Sequence, residues 1–274
     1  MTNAGKEPSS KTTPRVTTRE LQKMRDRGDA ISMLTAYDFP TAQVLDSAGV
    51  DILLVGDSLA MVVQGHDTTL SVTMDQMIYH AEMVGRAARR ALVVVDLPFP
   101  EGQLTINRSL ICGARVLKET GCHAVKLEGG AEQSKRIESL VTAGIPVMAH
   151  VGLRPQNIHV DGGYRVQRDA ERLIVDAKAA EDAGAFSVLV ECVPSDVGKA
   201  ITDAVNVPTI GIGAGNATNG QVLVTNDLIG FTSGYMPKFV RQFTDVKTAI
   251  HDAAVGYREA IVDGSFPGPD ESFR

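Results

Sequence analysis

The sequence has few of the features that mark secreted, membrane-spanning or nucleic-acid-binding proteins. It has no tryptophan and three cysteines among 274 residues. An odd number of cysteines does not suggest a disulfide framework. The three, Cys112, Cys122 and Cys192, also lack the C-x-x-C spacing of a zinc or redox site. No apolar run approaches the roughly 18 residues of a membrane-spanning helix. With 27 Lys and Arg against 33 Asp and Glu, the net charge of −6 argues against nucleic-acid or anionic-membrane partners. We therefore expect small-molecule partners and a reducing, cytoplasmic location.

One pattern recurs along the chain: a helical stretch closes with Gly and an apolar strand follows almost at once. Examples are "AGVDILLVGD" from Ala48 and "AGAFSVLVEC" from Ala183; Gly is favoured just beyond a helix end because it adopts the left-handed conformation without strain. The pattern predicts strands at residues 30–36, 51–56, 91–96, 122–128, 146–150, 185–191 and 208–213, and a weaker eighth strand within 221–231. Apolar strands alternating with helices form a parallel sheet covered on both faces. About eight such units in roughly 250 residues favour a closed (β/α)8 TIM barrel over a doubly wound sheet.

The ends of the chain are expected to lie outside this barrel. Residues 1–16 are polar and rich in Pro, Ser and Thr, and they lack the apolar core of a signal peptide, so we expect a disordered tail. The first helix is expected to follow Thr17, whose spacing to Glu20 is that of a capping box, and Thr73 with Gln76 predicts another helix start. No composition shift marks a second domain. We predict a single α/β barrel domain over residues 17–264, with an N-terminal and a C-terminal helix, and a polar tail over 265–274.

Ionisable side chains follow the apolar part of five consecutive predicted strands. In chain order they are Asp57, which is beside Ser58, then Asp96, Lys126 with Glu128, His150 and Glu191. The active sites of (β/α)8 barrels are built at the C-terminal ends of the strands. Any one of these residues is most simply a polar turn, but five strand ends in succession favour a functional site.

Lys126 and Glu128 are two residues apart, so both face the barrel interior if Leu127 between them packs under the helices. Buried charges are costly unless they are paired or bind a ligand. A structural ion pair between Lys126 and Glu128 is the simplest interpretation, but it leaves Asp57 and Asp96 without a counter-charge.

The carboxylates of Asp57, Asp96 and Glu128 follow strands expected to be neighbours, about 4.8 Å apart, and could converge on one cation. Oxygen ligands without His or Cys suit a hard cation, with Mg²⁺ favoured over Mn²⁺ and Ca²⁺. Because Mg²⁺ usually takes only one or two direct carboxylates, we expect Glu128 to bind through water. Glu191 lies further round the barrel, which suits an acid–base role.

Two other motifs receive structural interpretations. "GIGAGNATNG" from Gly211 lacks the third Gly of a dinucleotide-binding G-x-G-x-x-G, so we expect only a tight loop whose backbone approaches a ligand. Arg86, Arg89 and Arg90 end a predicted helix, where cations complement the helix dipole, and we interpret them as a solvated face.

Taken together, these motifs resemble the ketopantoate hydroxymethyltransferase family, also called 3-methyl-2-oxobutanoate hydroxymethyltransferases. The matching stretches span nearly the whole chain after the tail; they are "TAYD" at Thr35, "LVGDSLAMVVQGHDTT" at Leu54, "DLPF" at Asp96, "VKLEGG" at Val125, "HVGLRPQ" at His150, "GGYRVQ" at Gly162, "ECVP" at Glu191, "IGIGAG" at Ile210 and "MPKFV" at Met236.

The resemblance implies a barrel of the phosphoenolpyruvate/pyruvate type that forms a homo-oligomer, typically a decamer, and binds Mg²⁺. It also implies the reaction: a hydroxymethyl group passes from 5,10-methylenetetrahydrofolate to 3-methyl-2-oxobutanoate through a Mg²⁺-stabilised enolate. The product would be 2-dehydropantoate, for pantothenate and coenzyme A synthesis.

The resemblance further implies a role for each strand-end residue. By matching position, the metal ligands would be Asp57, Asp96 and Glu128, and the 2-oxo-acid contacts would be Asp57, Ser58, Asp96 and Lys126. Glu191 would be the catalytic proton acceptor, and His150 would be a further substrate-site residue.

One segment departs from the family pattern. The family usually follows Asp-Leu-Pro-Phe with small residues and a Tyr, whereas this chain reads "DLPFPEGQL", with Pro100 and Glu101 and no Tyr nearby. We expect a different loop after the third strand, with Asp96 unaffected.

Two other functions stay open at this point. One is a Mg²⁺-dependent lyase or mutase of the phosphoenolpyruvate/isocitrate lyase type, although the usual loop Cys between basic residues is absent. The other is a non-catalytic 2-oxo-acid-binding protein, against which the intact set of ionisable residues argues.

Overall fold

Eight short parallel strands close into a barrel in the computed structural model, which describes residues 14–232, 234 and 236–273. The strands are β1 Ile31–Thr35, β2 Ile52–Val55, β3 Leu92–Asp96, β4 Ala124–Glu128, β5 Val147–Gly152, β6 Ser187–Glu191, β7 Thr209–Ile212 and β8 Gly220–Leu223. Each strand pairs with the next in chain order, and β8 pairs with β1. The predicted fold class is therefore confirmed, and β8 lies at the start of the segment predicted for it.

Helices lie between most of the strands. In the described residues they are α1 Thr18–Arg27, α2 Phe39–Ser47, α3 Leu59–Val62, α4 Met74–Ala87, α5 Ile106–Thr120, α6 Ser134–Thr142, α7 Ile158–Asp161, α8 Ala170–Asp182, α9 Ser195–Ala204, α10 Thr225–Leu228 and α11 Val246–Asp263. Both predicted helix starts are confirmed. Thr17 accepts a hydrogen bond from the amide of Glu20 at 3.2 Å, and Thr73 with Gln76 forms a complete capping box.

Two apolar layers lie on the two faces of the barrel wall, because successive side chains of a strand point to opposite faces. Inside the barrel, Ile52 and Leu54 of β2 belong to a cluster closed by Leu21 of α1. Outside it, Val125 and Leu127 of β4 pack in the layer under the helices. Each fully buried Leu or Ile side chain contributes about 1.5–3 kcal/mol, so the wall is stabilised from both sides.

The N-terminal boundary differs from the prediction. Val16 is 3% exposed and packs in the inner cluster with Leu21, and its amide donates to the carbonyl of Arg90 at 2.7 Å. The last residues of the predicted 1–16 tail therefore belong to the barrel, because Val16 supplies apolar surface that closes its N-terminal end. Residues 1–13 lie outside the described residues.

The chain finishes with the predicted C-terminal helix. None of the 18 residues of α11 is buried. Phe266, from the predicted 265–274 tail, packs edge-on against Tyr257 of α11 with ring centroids 5.4 Å apart. The start of the predicted tail therefore contacts the helix.

The interpretation of the three arginines as a solvated face is confirmed for Arg86 and Arg89, which are exposed, and is wrong for Arg90. Helix α4 ends at Ala87, and the Arg90 guanidinium lies 2.7 Å from the Asp51 carboxylate and donates to the carbonyls of Gly49 and Val50. The chain turns towards β3 after α4, and this turn directs Arg90 against the barrel instead of into solvent.

The cysteines and the helices bear on the expectations drawn from composition. All three cysteines are free, and Cys112 and Cys122 are buried. None of the helices in the described part of the chain has the length and apolar character needed to cross a bilayer.

Candidate active site

The strands point a layer of polar side chains into the C-terminal mouth of the barrel. On β4, Ala124 faces the apolar interior, and Lys126 and Glu128 follow on the same face. The same two-residue step leads from Val94 to Asp96 on β3, from Met148 to His150 on β5 and from Leu189 to Glu191 on β6. The structure thus brings the predicted strand-end residues together at one end of the barrel.

Asp57 and Ser58 follow β2 in a tight turn that leaves little space beside Gly56. A Cβ atom at Gly56 would lie 2.9 Å from the Oγ of Ser58 and 3.6 Å from the Oδ2 of Asp96. The turn directs the backbone amide of Asp57 to that same Oδ2, at 2.9 Å. Asp57 and Asp96 are therefore held next to each other.

Lys126 pairs with Asp96 and not with Glu128. Its Nζ lies 2.9 Å from the Oδ1 of Asp96 and 3.4 Å from the Nδ1 of His150, and all three side chains are buried. A structural Lys126–Glu128 pair is therefore wrong. The register explains the difference, because Lys126 lies directly beside Asp96 on the neighbouring strand.

Glu128 has one oxygen engaged and one free. Its Oε2 accepts a hydrogen bond from the amide of Gln156 at 3.1 Å. Its Oε1 is buried without a hydrogen-bond donor and lies 3.8 Å from the Nδ1 of His150. A buried carboxylate oxygen without a donor is costly, so this position favours a ligand.

Burial and mutual repulsion shift the pKa values of the cluster. Burial, and then the charge of Asp96, raise the pKa of Asp57, while Lys126 opposes them. Burial, and then the charge of Asp57, raise the pKa of Glu128 well above its ordinary value. Burial lowers the pKa of the Lys126 ammonium, but the neighbouring carboxylates outweigh that effect and the net shift is upward. One ammonium does not neutralise this cluster, which therefore favours protons or an added cation.

His150 links Lys126 to Glu191. It is 1% exposed, and burial followed by the charge of Lys126 lowers its pKa, so the neutral ring is favoured. Because the Lys126 ammonium can only donate, Nδ1 accepts and the ring proton belongs on Nε2. Nε2 lies 3.2 Å from the Oε2 of Glu191, whose side chain is 17% exposed. The two atoms are not aligned for a hydrogen bond as they stand, so the structure shows an uncharged donor close to Glu191 at the edge of the mouth.

The backbone around Glu191 is constrained. Cys192 has φ 48°, a left-handed conformation that residues other than Gly rarely adopt. Gly152 has φ 96°, and a Cβ atom there would lie 2.2 Å from the carbonyl oxygen of Glu191. Strain of this kind is typical of functional sites.

Sequence reasoning missed two residues of the site. Gln156 is 5% exposed, and its side-chain amide donates to the Oδ2 of Asp57 at 2.8 Å. Tyr37 is 4% exposed, and its hydroxyl lies 2.8 Å from the Oγ of Ser58. Both residues fall within stretches that match the family, "HVGLRPQ" and "TAYD". That match was the only available signal, because neither residue lies on a strand whose period would orient it.

The donor set fits a hard cation in its chemistry. The carboxylates of Asp57, Asp96 and Glu128 are all buried, and the Oδ1 of Asp96 and the Oε1 of Glu128 lack an aligned hydrogen-bond donor. The side chains are not gathered round one point, however: among the described residues no group of three His, Cys, Asp or Glu could hold a metal ion as it stands. Convergence of the three carboxylates on one cation stays a prediction.

The glycine-rich loop after β7 packs against the protein's own side chains. Gly213 has φ 60°, and a Cβ atom there would lie 2.8 Å from the ring of Phe239. Gly215 has φ 79°, and its added Cβ would lie 2.6 Å from the Cβ of Ser195. These contacts and the positive φ values explain why glycine occupies both positions even without a ligand. The approach of this loop's backbone to a ligand stays a prediction.

Comparison with known proteins agrees with the predicted resemblance. The sequence model described as ketopantoate hydroxymethyltransferase matches residues 15–269. A relative from Rhodopirellula baltica, named 3-methyl-2-oxobutanoate hydroxymethyltransferase, is 71% identical over 97% of this chain and 98% of its own length. A relative of the same name from Desulforapulum autotrophicum is 52% identical over 95% of this chain and 99% of its own.

Solved structures support the fold alone, because their sequence identities are low. A phosphonopyruvate hydrolase in complex with oxalate and Mg²⁺ matches with a TM-score of 0.62 and 12% identity, over 93% of this chain and 92% of the hydrolase. A 2,3-dimethylmalate lyase of the PEP mutase/isocitrate lyase superfamily matches with a TM-score of 0.59 and 18% identity, over 94% of this chain and 91% of the lyase.

Proposed function

This chain belongs to the ketopantoate hydroxymethyltransferase family and is a hydroxymethyltransferase, and we propose that it forms 2-dehydropantoate from 3-methyl-2-oxobutanoate. The one-carbon donor in this proposal is 5,10-methylenetetrahydrofolate, and the pathway is pantothenate biosynthesis. The observation that carries the proposal is the cluster of buried carboxylates around Lys126 at the barrel mouth, which suits an anionic 2-oxo acid together with a cation.

Lys126 and Ser58 are the proposed contacts for the oxygens of the substrate. The Lys126 ammonium keeps its positive charge because its pKa is raised, so it can pair with the substrate carboxylate. Ser58 has its Oγ fixed by Tyr37 at 2.8 Å, and its hydroxyl can donate to an oxygen that gains negative charge.

Asp57 and Asp96 are the residues that would hold Mg²⁺ directly, and Glu128 would bind it through water. A Mg²⁺ ion bound there would supply a Lewis acid that draws electron density from the carbonyl of a 2-oxo acid. The Oε1 of Glu128, which is buried without a hydrogen-bond donor, supports this assignment.

Glu191 is the proposed acceptor for the proton that leaves C3 of the substrate. Its carboxylate is the most exposed of the ionisable groups around His150, so a substrate in the mouth could reach it. The Nε2–H of His150, 3.2 Å away, would hold the receiving carboxylate in place. Loss of the C3 proton leaves a nucleophilic carbon that forms the new C–C bond to the one-carbon unit of the folate. Both C–N bonds of the folate methylene group break, water supplies the hydroxyl oxygen, and tetrahydrofolate leaves with the C3 proton and one proton of the water on its two nitrogens.

Proton NMR in D₂O tests this proposal. With protein, Mg²⁺ and 3-methyl-2-oxobutanoate, we expect deuterium to appear at C3 and the exchange to stop with EDTA. Addition of the methylene folate should give a hydroxymethyl product. Exchange without transfer would instead favour the lyase or mutase alternative, and binding without exchange would favour a non-catalytic protein. Asp96→Ala should abolish the metal-dependent exchange, and survival of the exchange would remove Asp96 from the ligand set.

We include homo-oligomerisation, with a decamer as the family's typical state, and a cytoplasmic location in the proposal. Helix α11 supports assembly, because Ile250, Tyr257 and Ile261 lie at seven- and four-residue spacing and are 51%, 57% and 49% exposed. The three free cysteines support a reducing compartment. Light scattering after size exclusion should give a mass of several chains, and Tyr257→Glu should lower it; a monomeric wild type would contradict assembly.

A further inference from the structure

A buried amide, that of Gln156, and a half-buried one, that of Gln103, connect the loop after β3 to the carboxylate cluster. Gln156 lies in a short 3₁₀ turn, Pro155–Asn157, just after β5. Its Nε2 donates to the Oδ2 of Asp57 at 2.8 Å and to the carbonyl of Leu97 at 3.1 Å, and its Oε1 accepts from the Nε2 of Gln103 at 2.5 Å. Both N–H groups and the oxygen of this buried amide therefore have partners.

We propose that Gln156 is a positioning residue that holds the Asp57 carboxylate ready for the metal, and that Gln103 acts through Gln156 by fixing the direction of its amide. This inference rests on the proposed function, because it requires that Asp57 and Glu128 serve the cation. Residues that hydrogen-bond to metal ligands typically change metal affinity by 10- to 100-fold when they are replaced.

The direction of the Gln156 amide matters because its two ends have opposite polarity. If the amide were rotated by about 180°, its oxygen would face the Asp57 carboxylate, and two acceptors would repel each other. The Gln103 N–H on Oε1 and the Leu97 carbonyl on Nε2 both favour the observed direction. The amide is thus oriented from two sides.

Gln156 contacts carboxylates from two different strands. Its side chain binds Asp57, which follows β2, while its backbone amide donates to the Oε2 of Glu128 on β4. A change of side chain removes the first contact and keeps the second. Among the carboxylates, substitution of the Gln156 side chain therefore changes only the contact to Asp57.

The unusual "PEGQL" loop is the segment that supplies Gln103. Glu101 is 8% exposed and is paired with Arg108, whose Nη2 lies 2.7 Å from its Oε1. Arg136 donates to the carbonyls of Gln103 and Leu104 at 3.2 and 2.9 Å. These charged groups anchor the loop at both ends of the segment that contacts Gln156.

The test is Mn²⁺ binding to the substrate-free protein, followed by the EPR signal of free Mn²⁺. Gln156→Met keeps the length of the side chain and removes its hydrogen-bonding groups, and we expect the Kd for Mn²⁺ to rise about 10-fold or more. Gln22→Met on α1, which loses a side-chain hydrogen bond to the carbonyl of Asn206 at 2.9 Å, is the matched control and should bind like wild type. Thermal unfolding in EDTA reports the structural cost of each change separately.

Gln103→Met tests whether Gln103 fixes the direction of the Gln156 amide, and it leaves every contact to a carboxylate in place. If Gln156→Met does not fold, Gln103→Met is the variant in which Mn²⁺ binding is measured. We expect a smaller rise in Kd, and the double variant should bind no more weakly than Gln156→Met. Additive losses would refute the idea that Gln103 acts through Gln156.

The outcomes separate this inference from the proposed function. If wild type does not bind Mn²⁺, the proposed metal site fails and the inference fails with it. If wild type binds and Gln156→Met binds equally well, only the inference fails. A lower unfolding temperature with unchanged Mn²⁺ affinity would give Gln156 a merely structural role and overturn the inference.

Discussion

Protonation of His123 is expected to destabilise the fold in mild acid. His123 immediately precedes β4, and its Nδ1 accepts a hydrogen bond from the amide of Val93 at 3.0 Å. The guanidinium of Arg15 lies against the other ring nitrogen. Burial, and then the charge of Arg15, lower the pKa of His123 from 6.5 to about 4. The folded protein therefore holds this ring neutral at pH values where the unfolded chain has protonated it.

The sign and size of the effect follow from the two pKa values. The folded-state pKa lies below the unfolded one. The contribution of the neutral His123 ring to stability is therefore fully present above about pH 6.5 and is lost as the pH falls towards about 4. The full difference corresponds to about 3 kcal/mol, of which about 2 kcal/mol is lost by about pH 5. Because the ring is partly exposed, solvent screens the Arg15 charge, and we expect about 1–2 kcal/mol at that pH.

Urea unfolding of wild type and His123→Asn at about pH 7.5 and about pH 5 checks this expectation. The Oδ1 of Asn can replace Nδ1 as acceptor for Val93, and Asn does not titrate. When the pH is lowered, the free energy of unfolding of the variant should rise by about 1–2 kcal/mol relative to that of wild type. His251→Asn on the exposed helix α11 is the control and should show no such gain. If wild type and His123→Asn lose stability in parallel, the pKa of His123 is not depressed in the fold.

Three further changes address parts of the scaffold and the site. Asp46→Asn should lower the free energy of unfolding by about 3 kcal/mol, because the carboxylate accepts from the amides of residues 89, 90 and 91; a loss below about 1 kcal/mol in urea titration would contradict this. Gly152→Ala should lower both thermal stability and activity, because the new methyl would meet the carbonyl of Glu191 at 2.2 Å; a wild-type melting curve would refute it. Tyr37→Phe should reduce kcat/KM about 10-fold with about 1 kcal/mol or less of lost stability, because Ser58 loses its partner at 2.8 Å; unchanged kinetics would remove Ser58 from the substrate contacts.

The barrel and the strand-end residues could be predicted because both depend on short-range periodicity. Once Leu127 is assigned to the outer layer, a period of two places Lys126 and Glu128 inside, and the structure agrees. The partner of Lys126 could not be predicted in this way. It depends on the register between β3 and β4, which places Asp96 beside Lys126 and makes that carboxylate the nearer one.

The loops set the limit of the prediction. Val16 and Arg90 look like parts of a tail and of a solvated helix end until the fold brings them together, where the amide of Val16 donates to the carbonyl of Arg90 at 2.7 Å. Gln156 looks like an ordinary loop residue because nothing local shows that its amide reaches Asp57, 99 positions earlier in the chain. Such contacts are determined by the closed barrel and not by the neighbouring sequence.

The contact between the loops after β3 and β5 bears on how the reaction is selected. A hydrolase and a lyase share this barrel at 12% and 18% identity, so the scaffold does not decide the chemistry. The strands place the carboxylates, but the direction of each carboxylate also depends on hydrogen-bond donors outside the strands. Gln156 is such a donor for both Asp57 and Glu128. Gln103 belongs to the "DLPFPEGQL" loop, which we expect to differ from the family pattern, and its Nε2 donates to the Oε1 of Gln156 in the loop after β5. A change in either loop can therefore alter how the carboxylate cluster of this chain presents its oxygens while every strand-end residue stays the same.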